Sequence, residues 1–268
     1  MGSTLTHLTS RDNPRLKLLA SLASAPRERR ERGQTLLDGL HLLGCALDAG
    51  IVLLDVCVSM SGCKNPEILA LLNRLPAGES PICAPDAFFA RLSPVDTPTG
   101  ILARIAVPLP DAQEVTERET LVVLDGIQDP GNLGSILRTA AAAGIHLAWL
   151  TPGCTQAWSP KALRAGMGAH FHLRIHEQID VVQKLAVYQG KVVATGTSEK
   201  SRMFFDADLC GPVAWLFGAE GQGVSSTLLE RADEILSIPM MKGIESLNVG
   251  AAAAVCLFEQ MRQRRGIP

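Results

Sequence analysis

Aromatic side chains are scarce, at 4% of 268 residues, with a single tyrosine. That scarcity leaves little for base stacking, so a nucleic-acid partner would be met through folded shape and phosphate contacts. Neither sign of charge dominates. Lys and Arg total 25 against 27 acidic residues, a net charge of −2, which excludes a chain that binds polyanions through its overall charge. Seven cysteines are scattered without any C-x-x-C pair. That pattern argues against a zinc ribbon or a secreted disulfide scaffold and for reduced thiols. No apolar run approaches the roughly 20 residues of a membrane helix, and the first residues are polar, so a cytoplasmic protein without leader or anchor is expected. No G-x-G-x-x-G follows a strand, which weighs against a dinucleotide fold. Internal repeats and low-complexity segments are also missing.

What is present is a chain that is 47% hydrophobic and long enough to bury a core in one or two domains. Residues 1–108 mix short helices and strands: Leu16, Leu18, Leu19 and Leu22 suit one helix face, and 51–58 and 101–107 read as strands. Residues 109–119 are polar with two nearby prolines and read as a linker. From 120 to 268, short apolar runs alternate with helical stretches. Strands are expected at 121–124, 146–150, 171–175, 191–194, 213–217 and 235–238. Helices are expected at 133–143, 161–165, 179–188, 225–231 and 247–265. Such alternation predicts an α/β fold with a mostly parallel sheet covered on both faces.

Open parallel sheets bind ligands at the carboxyl ends of their strands, and three unusual loops fall there. The first, Asp125-Gly-Ile-Gln-Asp-Pro-Gly-Asn-Leu-Gly-Ser-Ile-Leu-Arg138, packs three glycines and a proline before a helix, with Asn132 or Ser135 as cap and Arg138 two turns in. The second, Leu216-Phe-Gly-Ala-Glu-Gly-Gln-Gly223, sets Glu220 among glycines that let backbone approach a ligand. The third, Ile238-Pro-Met-Met-Lys-Gly-Ile-Glu-Ser-Leu-Asn-Val249, offers polar groups at Ser246 and Asn248. Its Ile238, Met240 and Leu247 form an apolar slot. Each loop alone also reads as a plain turn.

Together, Asn132 with Arg138, Gly218-x-Glu220-x-x-Gly223, and Ile238-Pro-Met with Ser246-Leu-Asn-Val249 resemble the three ordered motifs of the SpoU/TrmH-type RNA 2′-O-methyltransferases of the SPOUT superfamily. The resemblance covers roughly the last 150 residues. It implies a deep trefoil knot, S-adenosylmethionine as cofactor, no metal, and a homodimer with each site near the subunit boundary. Ahead of it, Leu8-Thr-Ser-Arg-Asp-Asn-Pro-Arg-Leu-Lys17 and Arg32-Gly-Gln-Thr-Leu-Leu-Asp-Gly39 are similar to that family's substrate-binding domain, a small α/β fold like that of a ribosomal RNA-binding protein. Two departures stand out: Asp38-Gly39 where Glu-Gly is more usual, and Gly243 three residues after Met240 where two is usual.

The resemblance implies a catalytic set of Asn132, Arg138, Glu220, Ser246 and Asn248. Cofactor contacts fall to backbone atoms of Gly218, Ile238 and Leu247, with Thr195, Leu216 and Met240 beside them. An arginine is a poor base at neutral pH, so Arg138 either stabilises the developing alkoxide or acts as base with help from a phosphate. His170, His172 and His176 read as the polar face of a strand and not as metal ligands. RNA contact is expected from a local patch: Arg11, Arg15, Lys17, Arg27, Arg29, Arg30 and Arg32 face three carboxylates, a net of +4. The expected substrate is 23S ribosomal RNA. The alternatives are tRNA, or a catalytically silent RNA-binding factor that keeps the fold.

Overall fold

The computed structural model describes residues 5–8, 10, 12–76, 80–93, 98–109, 118–196 and 201–266. The chain divides into two units. One holds Met1–Pro108 with Trp158–Phe171, and the other holds Leu109–Ala157 with His172–Pro268.

The first unit is a five-stranded mixed sheet. Its strands are β1 (Thr6–His7), β2 (Gln34–Asp38), β3 (Leu53–Ser59), β4 (Ile82–Ala84) and β5 (Ile101–Ala106), in the order β1-β4-β3-β5-β2. Helix α1 (Pro14–Ser24) starts where Asn13 accepts the Arg15 N–H and Pro14 fills the first turn. Its Leu16, Leu19 and Leu22, three residues apart, bury one stripe against Leu36, Cys57, Ile82 and Leu102 of the sheet. Helix α2 (Pro26–Arg32) is stopped by Gly33 at φ 59°. Helices α3 (Leu40–Asp48), α4 (Pro66–Leu72) and α5 (Asp86–Leu92) complete the N-terminal stretch. A later piece of chain joins this unit: the helix Pro160–Gly166 (α7 in chain order) packs on β2. There the Thr35 hydroxyl donates to the Trp158 carbonyl at 2.6 Å.

The second unit is a seven-stranded sheet, parallel throughout. Its strands are β6 (Leu121–Asp125), β7 (Leu147–Leu150), β8 (Arg174–His176), β9 (Lys191–Thr195), β10 (Arg202–Met203), β11 (Val213–Gly218) and β12 (Glu234–Ser237). They run in the order β10-β12-β9-β11-β6-β7-β8. Helices cover both faces, as parallel strands require. On one face, Leu121, Val123, Leu147, Trp149 and Leu216 meet α8 (Val181–Leu185) and α9 (Ser226–Leu229). On the other, α6 (Pro130–Ala142) lies against α10 (Val249–Arg264). The alanine tracts there include Ala140 and Ala253, both fully buried, which lets the two helices approach closely. The Trp215 indole, one residue out of phase with Leu216, donates to Gln260 of α10 at 2.7 Å.

The α/β class and parallel sheet follow the sequence pattern, with two local corrections. The stretch expected as a strand at 171–175 begins as a 3₁₀ turn, Ala169–His172, and only Arg174–His176 joins the sheet. His170 and His172 therefore share no strand face. His170 is buried edge-on to Trp158 at 5.4 Å between centroids. The two-residue edge strand β10 carries no sequence signal, being too short to show alternation.

Candidate active site

Because every strand of the second sheet points the same way, the carboxyl ends of β6, β9, β11 and β12 lie along one edge. Asp125, the last residue of β6, pairs in register with Gly218, the last of β11. Asp125 is also a clamp. One carboxylate oxygen accepts the Ser225 N–H at 2.7 Å, and the other accepts the Thr151 hydroxyl at 3.1 Å. Thr151 in turn accepts the Gly126 N–H. The glycine loop after β11 is thereby tied to β6 and to the loop after β7.

Gly218 is required by space. A Cβ there would sit 2.0 Å from the Gly223 carbonyl carbon, because the loop folds back and Gly223 N–H bonds the Ala219 carbonyl at 2.8 Å. Gly221 and Gly223 make that reversal at φ 82° and 72°.

Three side chains from three loops then meet. Asp129 caps α6 by accepting the Asn132 N–H at 2.7 Å, which fixes Asn132 in the first turn. The Asn132 amide donates to Glu220 at 2.9 Å. Asn248 caps α10, its carbonyl oxygen accepting N–H groups of Gly250 and Ala251. Its amide nitrogen therefore faces the other way and donates to Asn132 at 2.9 Å and to Glu220 at 2.7 Å. The result is a closed ring of Asn132, Glu220 and Asn248.

Beside the ring opens a polar cleft of about 250 Å³. Ile127 and Val249, both buried, and Ala219 give it apolar wall. Gln128, Asp129, Asn132, Glu220 and Gln222 give it polar wall.

The remaining sequence-derived residues are placed as follows. Arg138 is exposed on α6, about 9 Å along the axis from Asn132 at 1.5 Å per residue, and it does not line the cleft. Ser246 is exposed on the loop before α10 and is not part of the ring. Thr195 ends β9 opposite Leu236, and the Gly196 N–H continues that pairing to the Leu236 carbonyl. Leu216 is fully buried in the core, so only its main chain is left for a ligand. Ile238 and Met240 are half-buried and Leu247 is exposed, all on the loop from β12 to α10. Ile238, Met240 and Leu247 thus leave apolar surface uncovered beside strand-end backbone, the kind of surface an adenine ring uses. The displaced Gly243 has a local cause. It holds φ 93° in a tight turn closed by the Ile244 N–H on the Met241 carbonyl, a position that favours glycine. Among the described residues, no three His, Cys, Asp or Glu are grouped to hold a metal ion.

Most cations of the first unit's basic patch have a carboxylate partner, three of them in exposed surface pairs. Arg15 is paired with Asp55 at 2.5 Å, Lys17 with Asp12, Arg27 with Glu31 and Arg32 with Glu28. Arg29 corrects the expectation most clearly: it is buried and donates to the Leu22 carbonyl at 2.7 Å, a structural bond inside the unit. Arg30 is exposed and forms no ion pair with a described residue. Arg11 lies outside the described residues. Sequence reasoning passed over Asp125, Gln128, Asp129, Thr151 and Gln222. All but Thr151 sit inside the two glycine-rich loops, which was the signal available.

Residues 119–258 match the SpoU rRNA Methylase family. The chain belongs to that family. Residues 13–103 of this SpoU-family protein match the MRM3-like substrate binding domain. It is 33% identical to an uncharacterised tRNA/rRNA methyltransferase of Synechocystis, over 98% of this chain and 96% of that one. It is 30% identical to the mitochondrial rRNA methyltransferase 3 of Xenopus laevis, over 93% of this chain and 74% of the relative. Among solved structures, the S-adenosylmethionine-bound rRNA methyltransferase from Sinorhizobium meliloti superposes with TM-score 0.84 at 27% identity, covering 98% and 99% of the two chains. The second unit of this SpoU-family chain is thus a SPOUT methyltransferase fold.

Proposed function

We propose that this protein transfers a methyl group from S-adenosylmethionine to a ribose 2′-hydroxyl of ribosomal RNA, 23S RNA in particular. The observation that carries the reading is the closed Asn132–Glu220–Asn248 ring at the strand-end edge. Its support is the family of the chain, with a cofactor-bound relative that superposes over almost the whole length. S-Adenosylmethionine supplies the activated methyl group. Backbone of Gly218, Ile238 and Leu247 would hold it, with Met240 and Thr195 beside them.

This chain's own work is positioning. An in-line displacement needs the attacking oxygen aligned and its proton accepted or screened. The ring fixes three loops relative to one another, so groups borne by them keep one geometry. Arg138 supplies a fixed positive charge for the ribose oxygen or the adjoining phosphate. The knot, the homodimer and a cytoplasmic location belong to the same proposal. Arg138 favours the dimer, since it stands on an exposed helix face away from the cleft.

Arg138→Ala and Asn248→Ala are each expected to abolish methylation of an unmodified 23S rRNA transcript, while Arg138→Ala keeps cofactor binding. Mixing the two variants should restore part of the activity if Arg138 serves the partner subunit's site. Normal turnover by Arg138→Ala would remove it from the mechanism. Mapping 2′-O-methyl positions with and without the gene separates rRNA from tRNA.

A further inference from the structure

Glu220 stands on a loop that does little to aim it. The loop leaves β11 at Gly218, reverses through Gly221 and Gly223, and returns to the core at buried Val224. Its closing bond, from the Gly223 N–H to the Ala219 carbonyl at 2.8 Å, is internal to the loop and shapes the turn without directing it. Burial of Val224 is non-directional. The Glu220 side chain is exposed, and its hydrogen bonds to described residues come from the Asn132 and Asn248 amides.

Asp125 supplies direction at both ends of that loop. Its main chain pairs in register with Gly218, where the loop starts. Its carboxylate accepts the Ser225 N–H at 2.7 Å, where the loop ends. A carboxylate acceptor makes this the stronger kind of backbone hydrogen bond. The same carboxylate reaches a second loop. Its other oxygen accepts the Thr151 hydroxyl at 3.1 Å, and Thr151 accepts the Gly126 N–H at 3.0 Å. Gly126 opens the segment that leads to Asp129, the cap that fixes Asn132. One side chain therefore refers Glu220 and Asn132, two members of the ring, to a common point.

We propose that Asp125 is a positioning residue for methyl transfer, setting the Glu220 loop against the start of α6 so that the ring closes in its reactive geometry. Thr151 is its link to the Asn132 side. Asp125 does not line the cleft and acts through Glu220. The inference rests on the methyltransferase reading and adds to it the group that holds the ring in register.

The test uses the full-length protein, S-adenosylmethionine and an in vitro 23S rRNA transcript, with rates taken per site that binds S-adenosylmethionine. Asp125→Ala should lower kcat by about a hundred-fold, the loss that a misplacement of about 1 Å brings to an aligned reaction. KM for RNA and Kd for S-adenosylmethionine should stay within about two-fold of wild type. Asp125→Asn keeps one acceptor oxygen for the Ser225 N–H, and its amide can donate to the Thr151 oxygen. It should recover at least about ten-fold of the lost rate. Thr151→Val keeps the side-chain shape, removes the hydroxyl and should lower kcat by about ten-fold. In a Glu220→Ala background, read under single turnover, adding Asp125→Ala should cost less than about three-fold more, because the loop then carries nothing to aim. A lower Tm with wild-type kcat per cofactor-binding site in Asp125→Ala would make the clamp purely structural and overturn the proposal. Losses that multiply in full in the double variant overturn it too. Should Asp125→Ala fail to fold, Thr151→Val decides, and wild-type kcat there overturns the proposal while leaving methyl transfer intact. Failure of the wild type to methylate any RNA overturns the methyltransferase reading itself, and the role of Asp125 with it.

Discussion

At the scale of single residues, Asn248 carries two tasks through two different atoms. Its oxygen caps α10 and its nitrogen closes the ring on Asn132 and Glu220. The tasks separate by substitution. Asn248→Asp keeps a capping oxygen at a helix N-terminus, where a negative charge is welcome, but sets a carboxylate against Glu220. It should keep the wild-type Tm within a few degrees and lose methyl transfer by at least ten-fold. Asn248→Ala loses the cap as well, about 1 kcal/mol, or roughly 2–4 °C in Tm for a chain of this size. Full turnover by Asn248→Asp would show that the ring is packing and not part of the site. Arg29 gives the opposite lesson. Arg29→Ala leaves the Leu22 carbonyl without its donor inside the first unit, at a cost of about 1–3 kcal/mol. RNA affinity of the folded fraction should not change, as read by filter binding well below the Tm. A clear loss of affinity would return Arg29 to the RNA interface.

Elements fail where their environment, and not their own sequence, sets the chemistry. Strand β8 pairs His176 with Trp149 of β7, and burial lowers the His176 pKa, helped by the charges of Lys184 and Arg174. In the unfolded chain His176 takes up a proton as pH falls through about 6.5, while in the folded protein it stays neutral to lower pH. The unfolded state then binds more protons, so stability falls on acidification below about 6.5. His176→Gln should flatten that part of the Tm-against-pH curve between about 6.5 and 5, and an unchanged slope would assign the acid sensitivity elsewhere. The H-x-H spacing suggested a polar strand face because period two is what the pattern can show. It cannot show that His170 turns inward to Trp158 through a 3₁₀ turn.

For the molecule as a whole, the division into units decides which truncations make sense. Trp158, Ala162 and Leu163 are buried within the first unit, although they follow β7 of the second unit's sheet in the chain. Removing residues 1–108 strips their cover and exposes a contiguous apolar surface. The 109–268 fragment should therefore show lower solubility and self-association in size-exclusion chromatography. A monodisperse fragment with wild-type Tm would mean that the 158–171 segment folds without the rest of its unit. RNA affinity of the whole protein should fall as salt rises, and Arg30→Ala should lower that slope by about one. Arg29 adds nothing to it, being buried on the Leu22 carbonyl, whereas Lys17, Arg27 and Arg32 sit in exposed ion pairs that are weak enough to open to a phosphate.

The sequence alone determined the parallel α/β character of the second unit, because buried strands and amphipathic helices alternate at different periods. It also marked the three loops whose side chains the structure brings together, because glycine, proline and capping residues cluster in them at strand ends. Asn132, Glu220 and Asn248 were legible as members of ordered motifs. That they form one ring was not, since the contacts span 28 to 116 residues and depend on β6 and β11 lying side by side. Charge along the chain likewise counted seven cations without saying which had already found partners. Those outcomes belong to the tertiary structure alone. Pairing and burial are decided by which surfaces meet, and linear spacing does not encode that.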